Sequence, residues 1–310
     1  MLRRTASFVA RRSWVRKVIM TTPVAREVAW RFVAGEDLDA GLAVVRALNG
    51  QGIKATLNFV GTHVRDQQQA IAATDEAIES LRRIRAENVE SHVSIKLTQI
   101  GLDIDEALCR SHLERILECA AEVRNFVRID MEELTYVERT IALFEEMFEQ
   151  YGAETVGIVL QSYVRTRPDE LERMLRRGAR IRLVKGGYWE RPEDVYRRRD
   201  EIDAAFGRDI EQLMRRGSYP AVATHDPDAI DRVRRIQREL GLAKRAFEFQ
   251  MLYGVRPDLQ AALVREGYTV RCYVPYGGQW YAYVLGCLRR VPSGMLRRIA
   301  RRIHRSQALA

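Results

Sequence analysis

The strongest constraint on the fold is a regular alternation of short apolar runs with longer amphipathic stretches. The stretches, such as RPDELERMLRRGA and PDLQAALVREG, have helical spacing, and several open with Asp or Pro and close with Gly. The runs are rich in β-branched and aliphatic residues, as in strands: ATLNFV (55–60), VSIKLT (93–98), FVRIDM (126–131), VGIVLQ (156–161), RIRLVK (180–185), PAVATH (220–225), AFEFQM (246–251) and TVRCYV (269–274). Strand alternating with helix predicts parallel β/α units.

Eight such units have the usual length of a (β/α)₈ barrel, about 250 residues. The alternative is an open doubly wound sheet, for which a GxGxxG turn is expected after the first strand. The segment NFVGTHV offers one glycine there. We therefore predict an α/β fold, a (β/α)₈ TIM barrel over 36–292. A basic helical segment at 1–35 precedes it, a final barrel helix caps the site, and a basic amphipathic helix follows at 293–310.

The formal charge of +9 is concentrated at the two ends of the chain. Residues 1–26 contain seven Lys or Arg and no acid, and eight Arg without an acid follow Glu266. The first run is typical of a transit peptide. The second, MLRRIARRIHR, predicts either a helix on an anionic membrane surface or a docked terminal helix with a solvated basic face. No nucleic-acid recognition motif accompanies the charge, so we expect no nucleic-acid partner.

The cysteines and the hydropathy bound the compartment. Cys109, Cys119, Cys272 and Cys287 lack CxxC spacing, which predicts neither a disulfide framework nor a zinc site and suits a reducing compartment. No apolar run approaches the ~20 residues that span a bilayer. We expect a cytoplasmic protein without a metal site, peripheral on the inner membrane surface if its basic ends bind lipid.

Polar side chains gather where the predicted strands end, which is where the active site of such a barrel lies. Residues of this kind are often structural, being solvated or paired at the rim, but their number predicts a polar ligand rather than a dry pocket. A single histidine among them is more typical of hydrogen-bonded structure than of a metal ligand. The set comprises Asn58, Thr62, Lys96, Asp130, Glu132, Gln161, Arg182, Lys185, Thr224, His225, Glu248, Gln250 and Tyr273.

Seven segments, in order, resemble the FAD-dependent proline dehydrogenases from about residue 30 to the end of the barrel. The most specific is RIRLVKGGYW, which is similar to that family's fifth-strand motif RLVKGAYW. The others are VSIKLTQIG, VRIDMEE, VLQSY, ATHD, EFQMLYG, and CYVPYG followed by WYAY.

This resemblance implies roles for individual residues. Lys96 would be the active-site lysine, Asp130 the aspartate near the flavin, and Tyr273, Tyr283 and Leu252 residues of the substrate pocket. An arginine at a strand end can stabilise negative charge on the reduced ring, and glycines after it allow close approach of the backbone. The residues expected to bind FAD are Asp130, Gln161, Arg182, Val184, Gly186, Gly187, Trp189, Thr224, His225 and Gln250.

The chain departs from the family at its last helix, which in the family reads YxxRRxxE and clamps the proline carboxylate between two arginines. Counted from Tyr283, Gly286 and Cys287 take the two arginine positions, and Arg290 takes the glutamate position. A shifted alignment would use Arg289 and Arg290 as the clamp, but it would move the proline at the helix end out of register. Glycine inside a helix costs about 1 kcal/mol relative to alanine, so its presence suggests a need for space.

A second departure concerns the partner of the clamp. Thr62 stands where the family has a glutamate that pairs with a clamp arginine. Loss of both members predicts a pocket altered for a larger or less acidic substrate, while relaxed constraint after one loss would give the same result. Cys287 fits a small pocket-lining residue better than a reactive thiol.

The resemblance therefore implies a flavoenzyme that oxidises the C–N bond of proline, or of a related cyclic or secondary amine, to an imine by hydride transfer to FAD. Electrons would pass to a quinone or another acceptor. Two alternatives remain open: the same chemistry on a substrate without a free carboxylate, and a non-catalytic flavin-binding protein.

Overall fold

Eight parallel strands close into a barrel in which each strand pairs with its neighbours in sequence and β8 pairs with β1. The computed structural model describes residues 30–61, 64–166, 169–281 and 283–284. Every predicted run overlaps a strand, and the predicted barrel is confirmed. The strands are β1 (Lys54–Phe59), β2 (Ser91–Ile95), β3 (Val127–Ile129), β4 (Val156–Gln161), β5 (Arg180–Val184), β6 (Ala221–Ala223), β7 (Glu248–Leu252) and β8 (Thr269–Tyr276).

Helices alternate with the strands, and their starts carry the expected signals. Asp side chains accept backbone N–H groups at the N-termini of four of them, and Pro occupies the first position of two. The helices are α1 (Leu38–Asn49), α2 (Gln67–Ala86), α3 (Glu106–Glu122), α4 (Leu134–Tyr151), α5 (Asp169–Arg176), α6 (Arg199–Arg216), α7 (Pro227–Glu239) and α8 (Pro257–Arg265).

The helix that precedes β1, α1, occupies the place in the outer ring that a helix after β8 would normally take. α1 packs against β1 and β8, and its Gly41 lies against the side chains of Leu57 and Tyr276. Since α2 to α8 follow β1 to β7, α1 completes a ring of eight helices. The chain that leaves β8 is therefore free to pass over the mouth of the barrel.

The beginning of that segment lies at the C-terminal ends of the strands. Trp280 is fully buried and packs with Phe32, Val33 and Val255, and its indole Nε1 donates to Glu36 Oε1 at 2.9 Å. Leu252, at the end of β7, packs against the same cluster. The start of the predicted capping helix is thus anchored beside the mouth. Thr62, Gly286, Cys287 and both basic ends (1–26 and 293–310) lie outside the described residues.

None of the helices formed by the described residues has the length and hydropathy that a membrane span needs.

The barrel interior is tightly filled around Gly157 on β4. A Cβ at this position would lie 2.6 Å from Arg128 Nη1, from the Arg180 carbonyl oxygen and from Phe126 Cζ. Replacing Gly157 by Ala is therefore expected to lower the free energy of unfolding by roughly 1–3 kcal/mol, because backbone and buried side chains must move. Urea unfolding measures this change. Gly278→Ala, whose Cβ would meet no atom within 4 Å, is the control, and equal stability of the two variants would contradict the expectation.

Candidate active site

Polar side chains from five strands and from the loop after β3 meet inside the barrel at its C-terminal end. Residues at alternate positions of a strand share a face, and the register of the barrel places the inward residues of neighbouring strands side by side. The group consists of Asn58, Ser94, Asp130, Arg182, Gln250 and Tyr273, and all of them except Tyr273 are buried. Five of the six were predicted from their positions at strand ends, and Ser94 was not.

Asp130 is the centre of this group. Its Oδ1 accepts from Arg182 Nη1 at 2.8 Å and from Ser94 Oγ at 2.7 Å, and its Oδ2 accepts from the Tyr273 hydroxyl at 2.7 Å. Burial, together with this carboxylate, raises the pKa of Tyr273 well above its ordinary value. The tyrosine therefore keeps its proton and donates a hydrogen bond to Asp130, which holds the carboxylate in one orientation.

Arg182 is held by hydrogen bonds through its Nε and Nη1 atoms, and these bonds do not use Nη2. Besides Asp130 and Ser94, it donates through Nε to Gln250 Oε1, and its guanidinium lies 5.3 Å from the centre of the Tyr273 ring. Its Nη2 makes no hydrogen bond with any other described residue. A buried guanidinium with a spare donor can bind a carbonyl or anionic group placed in the mouth.

Lys96 follows β2 on the same face as Ser94. Its ammonium lies 3.8 Å from Asp130 Oδ2, and about a quarter of its side chain is exposed. This places a cation at the open edge of the group, where it can contact a bound molecule. A positive charge there disfavours protonation of a nearby amine.

The ionic network continues from Arg182 down the barrel axis. Gln250 Nε2 donates to Glu248 Oε1, and Glu248 accepts from Arg271 Nε at 2.9 and 3.1 Å. Arg271 Nη1 donates to the Ala55 carbonyl oxygen at 2.8 Å. Burial alone would raise the pKa of Glu248, but Arg271 holds it below its ordinary value. Glu248, expected at the rim, therefore lies one layer below the site and supports it through Gln250.

The loop after β5 provides an open surface next to the group. Gly186 has a φ of 92°, and a Cβ there would overlap the Tyr163 ring. Only glycine meets both conditions without strain. Three residues later, Trp189 is 73% exposed, with the Arg197 guanidinium 5.2 Å from its ring centre. Gly187 follows in the same turn, and Val184, at the end of β5, is half-buried. An exposed indole of this size offers a stacking surface.

Other predicted cofactor residues hold the loops around the mouth. Gln161 Nε2 donates to the Glu132 carbonyl oxygen at 2.8 Å, and Thr224 Oγ1 accepts from the Asp226 N–H at 3.0 Å. Glu132 accepts from the Thr98 hydroxyl at 2.8 Å. These contacts are structural, and they leave the backbone and the outer parts of the side chains to line the mouth.

Lys185 belongs to the strand-end set but does not join the central group. Its Nζ pairs with Asp203 and, at 2.6 Å, with Asp226. Burial alone would lower the pKa of Lys185, but the two aspartates raise it above its ordinary value. Lys185 therefore connects α6 and the start of α7 to β5. Lys185 and Arg182 belong to one sequence motif, and the motif does not indicate that only Arg182 joins the central group. That outcome depends on Asp203 and Asp226, which come later in the chain.

His225 is a neutral hydrogen-bond acceptor. Its Nε2 accepts from the Leu252 N–H at 3.0 Å, which ties the end of β7 to the loop after β6. Burial, helped by Arg256, lowers the pKa of His225 to about 4. The ring is therefore uncharged at neutral pH, when its nitrogen can accept.

This histidine is expected to make folding stability dependent on pH. The unfolded chain binds a proton on His225 below the ordinary histidine value of about 6.5, whereas the folded chain does so only near its lowered pKa of about 4. Between these values the unfolded state binds more protons, so stability falls as pH falls, by up to about 3 kcal/mol. Urea unfolding at pH 4 to 7 of the wild type and of His225→Gln measures the effect. In the variant, stability should depend less steeply on pH. Some dependence should remain, because the pKa of His92 is also lowered. Identical slopes would contradict the assignment.

Comparisons with known proteins agree on one family. A family model described as proline dehydrogenase matches residues 42–284. "Proline dehydrogenase 2" of Bacillus subtilis (strain 168) is 34% identical over 271 residues, covering 87% of this chain and 89% of the relative. "Proline dehydrogenase" of Deinococcus radiodurans is 38% identical over 273 residues, covering 84% of this chain and 86% of the relative.

Solved structures support the fold. Proline utilization A (PutA) of Bdellovibrio bacteriovorus, inactivated by N-propargylglycine, superposes with a TM-score of 0.79 at 23% identity, covering 84% of this chain and 32% of that one. PutA of Corynebacterium freiburgense gives a TM-score of 0.72 at 23% identity, covering 92% and 33%. This chain therefore spans about a third of those longer proteins, and the likeness to them concerns the barrel.

Proposed function

The chain belongs to the proline dehydrogenase family, and we propose on that premise that it oxidises the C–N bond of proline to the imine with FAD as the hydride acceptor. The observation that carries this proposal is the fixed group of Asp130, Arg182 and Tyr273, with Lys96 at its open edge. The named relatives do not favour the alternative substrate without a carboxylate.

The residues at the mouth fit a flavin. Arg182 keeps a spare donor for a carbonyl or anionic edge, and Trp189 presents an exposed aromatic face on the loop that Gly186 lets pack on Tyr163. Gln161, Val184, Gly187, Thr224, His225 and Gln250 would complete the cofactor's surroundings. When bound, FAD supplies an acceptor for a hydride, that is, for the hydrogen on the carbon next to nitrogen together with the two electrons of its bond.

The protein positions the substrate and controls its proton. The Lys96 ammonium disfavours a second positive charge, so the amine is bound in its neutral form. Asp130 cannot turn away because it is held by Arg182, Ser94 and Tyr273. Leu252 packs with the apolar cluster that contains Tyr283, and together they would exclude water from the reacting face.

Two measurements test this function. The purified protein should be yellow, and anaerobic titration with L-proline should bleach the visible flavin band. A colourless protein that stays so after incubation with FAD would refute the flavin assignment. A yellow protein that proline cannot bleach, but another secondary amine can, would support the substrate alternative; bleaching by no amine would support a non-catalytic role.

We further propose that Gly286, Cys287 and Thr62 leave the substrate carboxylate without the family's arginine clamp. Changing Gly286→Arg and Cys287→Arg, together with Thr62→Glu, is expected to tighten binding of a proline analogue at least tenfold, because an Arg–carboxylate pair contributes about 1.5–3 kcal/mol. Displacement titration monitored by the flavin spectrum measures this. Gly286→Ala with Cys287→Ser is the control. Unchanged affinity in the triple variant would refute the altered pocket.

The electron acceptor is proposed to be a quinone reached at a membrane surface through the basic ends of the chain. Flotation with vesicles rich in anionic lipid tests this contact. Retention by anionic but not neutral vesicles, lost when residues 293–310 are removed, would support it. Flotation with neither kind would favour a docked terminal helix.

A further inference from the structure

A cavity opens at the N-terminal end of the barrel, opposite the end that carries the site described above. It has a volume of about 200 Å³, and its lining includes Lys54, Arg85, Asn88, His92, Arg124 and Arg271. A water molecule in the liquid occupies about 30 Å³, so the cavity has room for several waters or one small molecule. Cofactor sites are usually about 300 Å³ or more, so the size of this cavity suits a smaller molecule.

The cavity is strongly cationic. Its lining contains four Lys or Arg and one acid, Glu90, which pairs with Lys54 at 3.3 Å. Arg85 and Arg124 are exposed, and neither side chain makes an ion pair or hydrogen bond with another residue in the part of the chain that is described. Two guanidinium groups at the rim are thus available to a ligand.

Two groups that line this cavity, the buried Arg271 and the half-buried His92, have unused hydrogen-bonding capacity. The Arg271 side chain is only 4% exposed; Nε and Nη1 are bonded, but Nη2 has no hydrogen-bond partner among the described residues. The His92 ring packs on Phe126, with 4.9 Å between ring centres, and its nitrogens make no hydrogen bond within the described ranges. A deeply buried donor that lines a polar cavity is expected to have a partner there.

The positive charges around the cavity affect the pKa of the His92 side chain. Burial lowers its pKa well below the ordinary value, and Arg271, Arg128, Arg180 and Lys54 lower it further. The ring is therefore neutral and offers one donor and one acceptor nitrogen. The surrounding field would favour an anion.

Helix termini explain only part of this arrangement. Arg85 lies in the last turn of α2, and Arg124 lies two residues after the end of α3, where cations are favourable. The carbonyl groups of both last turns already accept from backbone N–H groups, including those of Asn88 and Arg124. The negative end of a helix dipole can account for the arginines at the rim. It does not account for Arg271 and His92, whose donors point into the cavity.

We propose that this cavity binds a small dianionic oxyanion, inorganic phosphate or the phosphate group of a small monoester, between the Arg85 and Arg124 guanidinium groups and the inner donors Arg271 and His92. The occupant would also stabilise the barrel, since anything that binds only the folded state does so by mass action. Arg271 connects the cavity to Glu248, Gln250 and Arg182, so the ligand would contact the lower end of the network that holds the active site.

The test uses the flavin-loaded full chain with inorganic phosphate as the probe. Thermal unfolding is followed over rising phosphate at constant ionic strength, maintained with sodium chloride, and phosphate binding is measured by calorimetry. We expect a concentration-dependent rise in Tm of several degrees in the wild type. Arg85→Ala with Arg124→Ala should weaken phosphate binding at least tenfold and abolish the rise.

A matched control separates a site from a general charge effect. Arg238→Ala with Arg265→Ala removes two exposed arginines from the last turns of α7 and α8 and should leave the phosphate response unchanged. His92→Phe keeps an aromatic ring but removes both nitrogens, and it should weaken binding without the loss of a surface charge. The proposal is overturned if the wild type shows no phosphate response, or if both double variants respond like the wild type.

Discussion

Arg182→Ala is expected to purify with little bound flavin and to fold with reduced stability. The arginine would supply a charge-assisted donor to the cofactor, and such hydrogen bonds contribute about 1.5–3 kcal/mol, which corresponds to roughly a 10- to 100-fold loss in FAD affinity. Its removal also leaves Asp130 as a buried carboxylate without its guanidinium partner, which typically costs about 3–5 kcal/mol. The measurements are the flavin-to-protein absorbance ratio and the Kd of FAD for the stripped protein.

Two further variants keep this prediction testable if the alanine variant folds poorly. Arg182→Lys retains a positive charge beside Asp130 but has one amine in place of a planar fork. It should recover much of the stability and less of the flavin affinity. Arg180→Ala, on the same strand but paired with the exposed Glu154, should keep wild-type flavin affinity. Normal flavin content in Arg182→Ala would refute the cofactor site.

Glu248→Gln is expected to lower stability strongly, although it leaves the side-chain volume nearly constant. Glu248 and Arg271 are both almost fully buried, and breaking such a pair costs about 3–5 kcal/mol. At about 2–4 °C per kcal/mol for large domains, Tm should fall by roughly 10 °C. Calorimetry of the stripped protein measures this without a contribution from the cofactor.

The Glu248–Arg271 pair is expected to contribute less net stability than the loss of one partner removes. Glu248→Leu combined with Arg271→Met removes both charges and fills similar volume, so it should recover most of the stability lost in Glu248→Gln. Stability in the double variant below that of the single variant would show that the pair itself, and not the orphaned charge, accounts for the effect.

The sequence was sufficient to predict the barrel, because its strands are short, apolar and regularly spaced. It also located Asp130, Arg182, Gln250 and Tyr273, since parallel strands bring their C-terminal ends together. Which of these residues would touch was not predictable. Arg182 and Asp130 are 52 residues apart, and their contact depends on barrel closure and side-chain rotamers.

Two further cases show where the limit lies. Ser94 could have been found, because it is two positions before Lys96 and must face the same way. The separation of Lys185 from the site could not, because the aspartates that hold it lie on helices whose orientation the strand motifs do not encode.

The position of α1 separates closure of the barrel wall from coverage of the barrel mouth. Because α1 closes the wall between β8 and β1, the ring of helices is complete without a helix after β8. Trp280 and Val284, which are buried in the cluster beside the mouth, therefore support the mouth and not the wall. A substitution at either residue is therefore expected to change the entry of ligands before it changes the closure of the barrel.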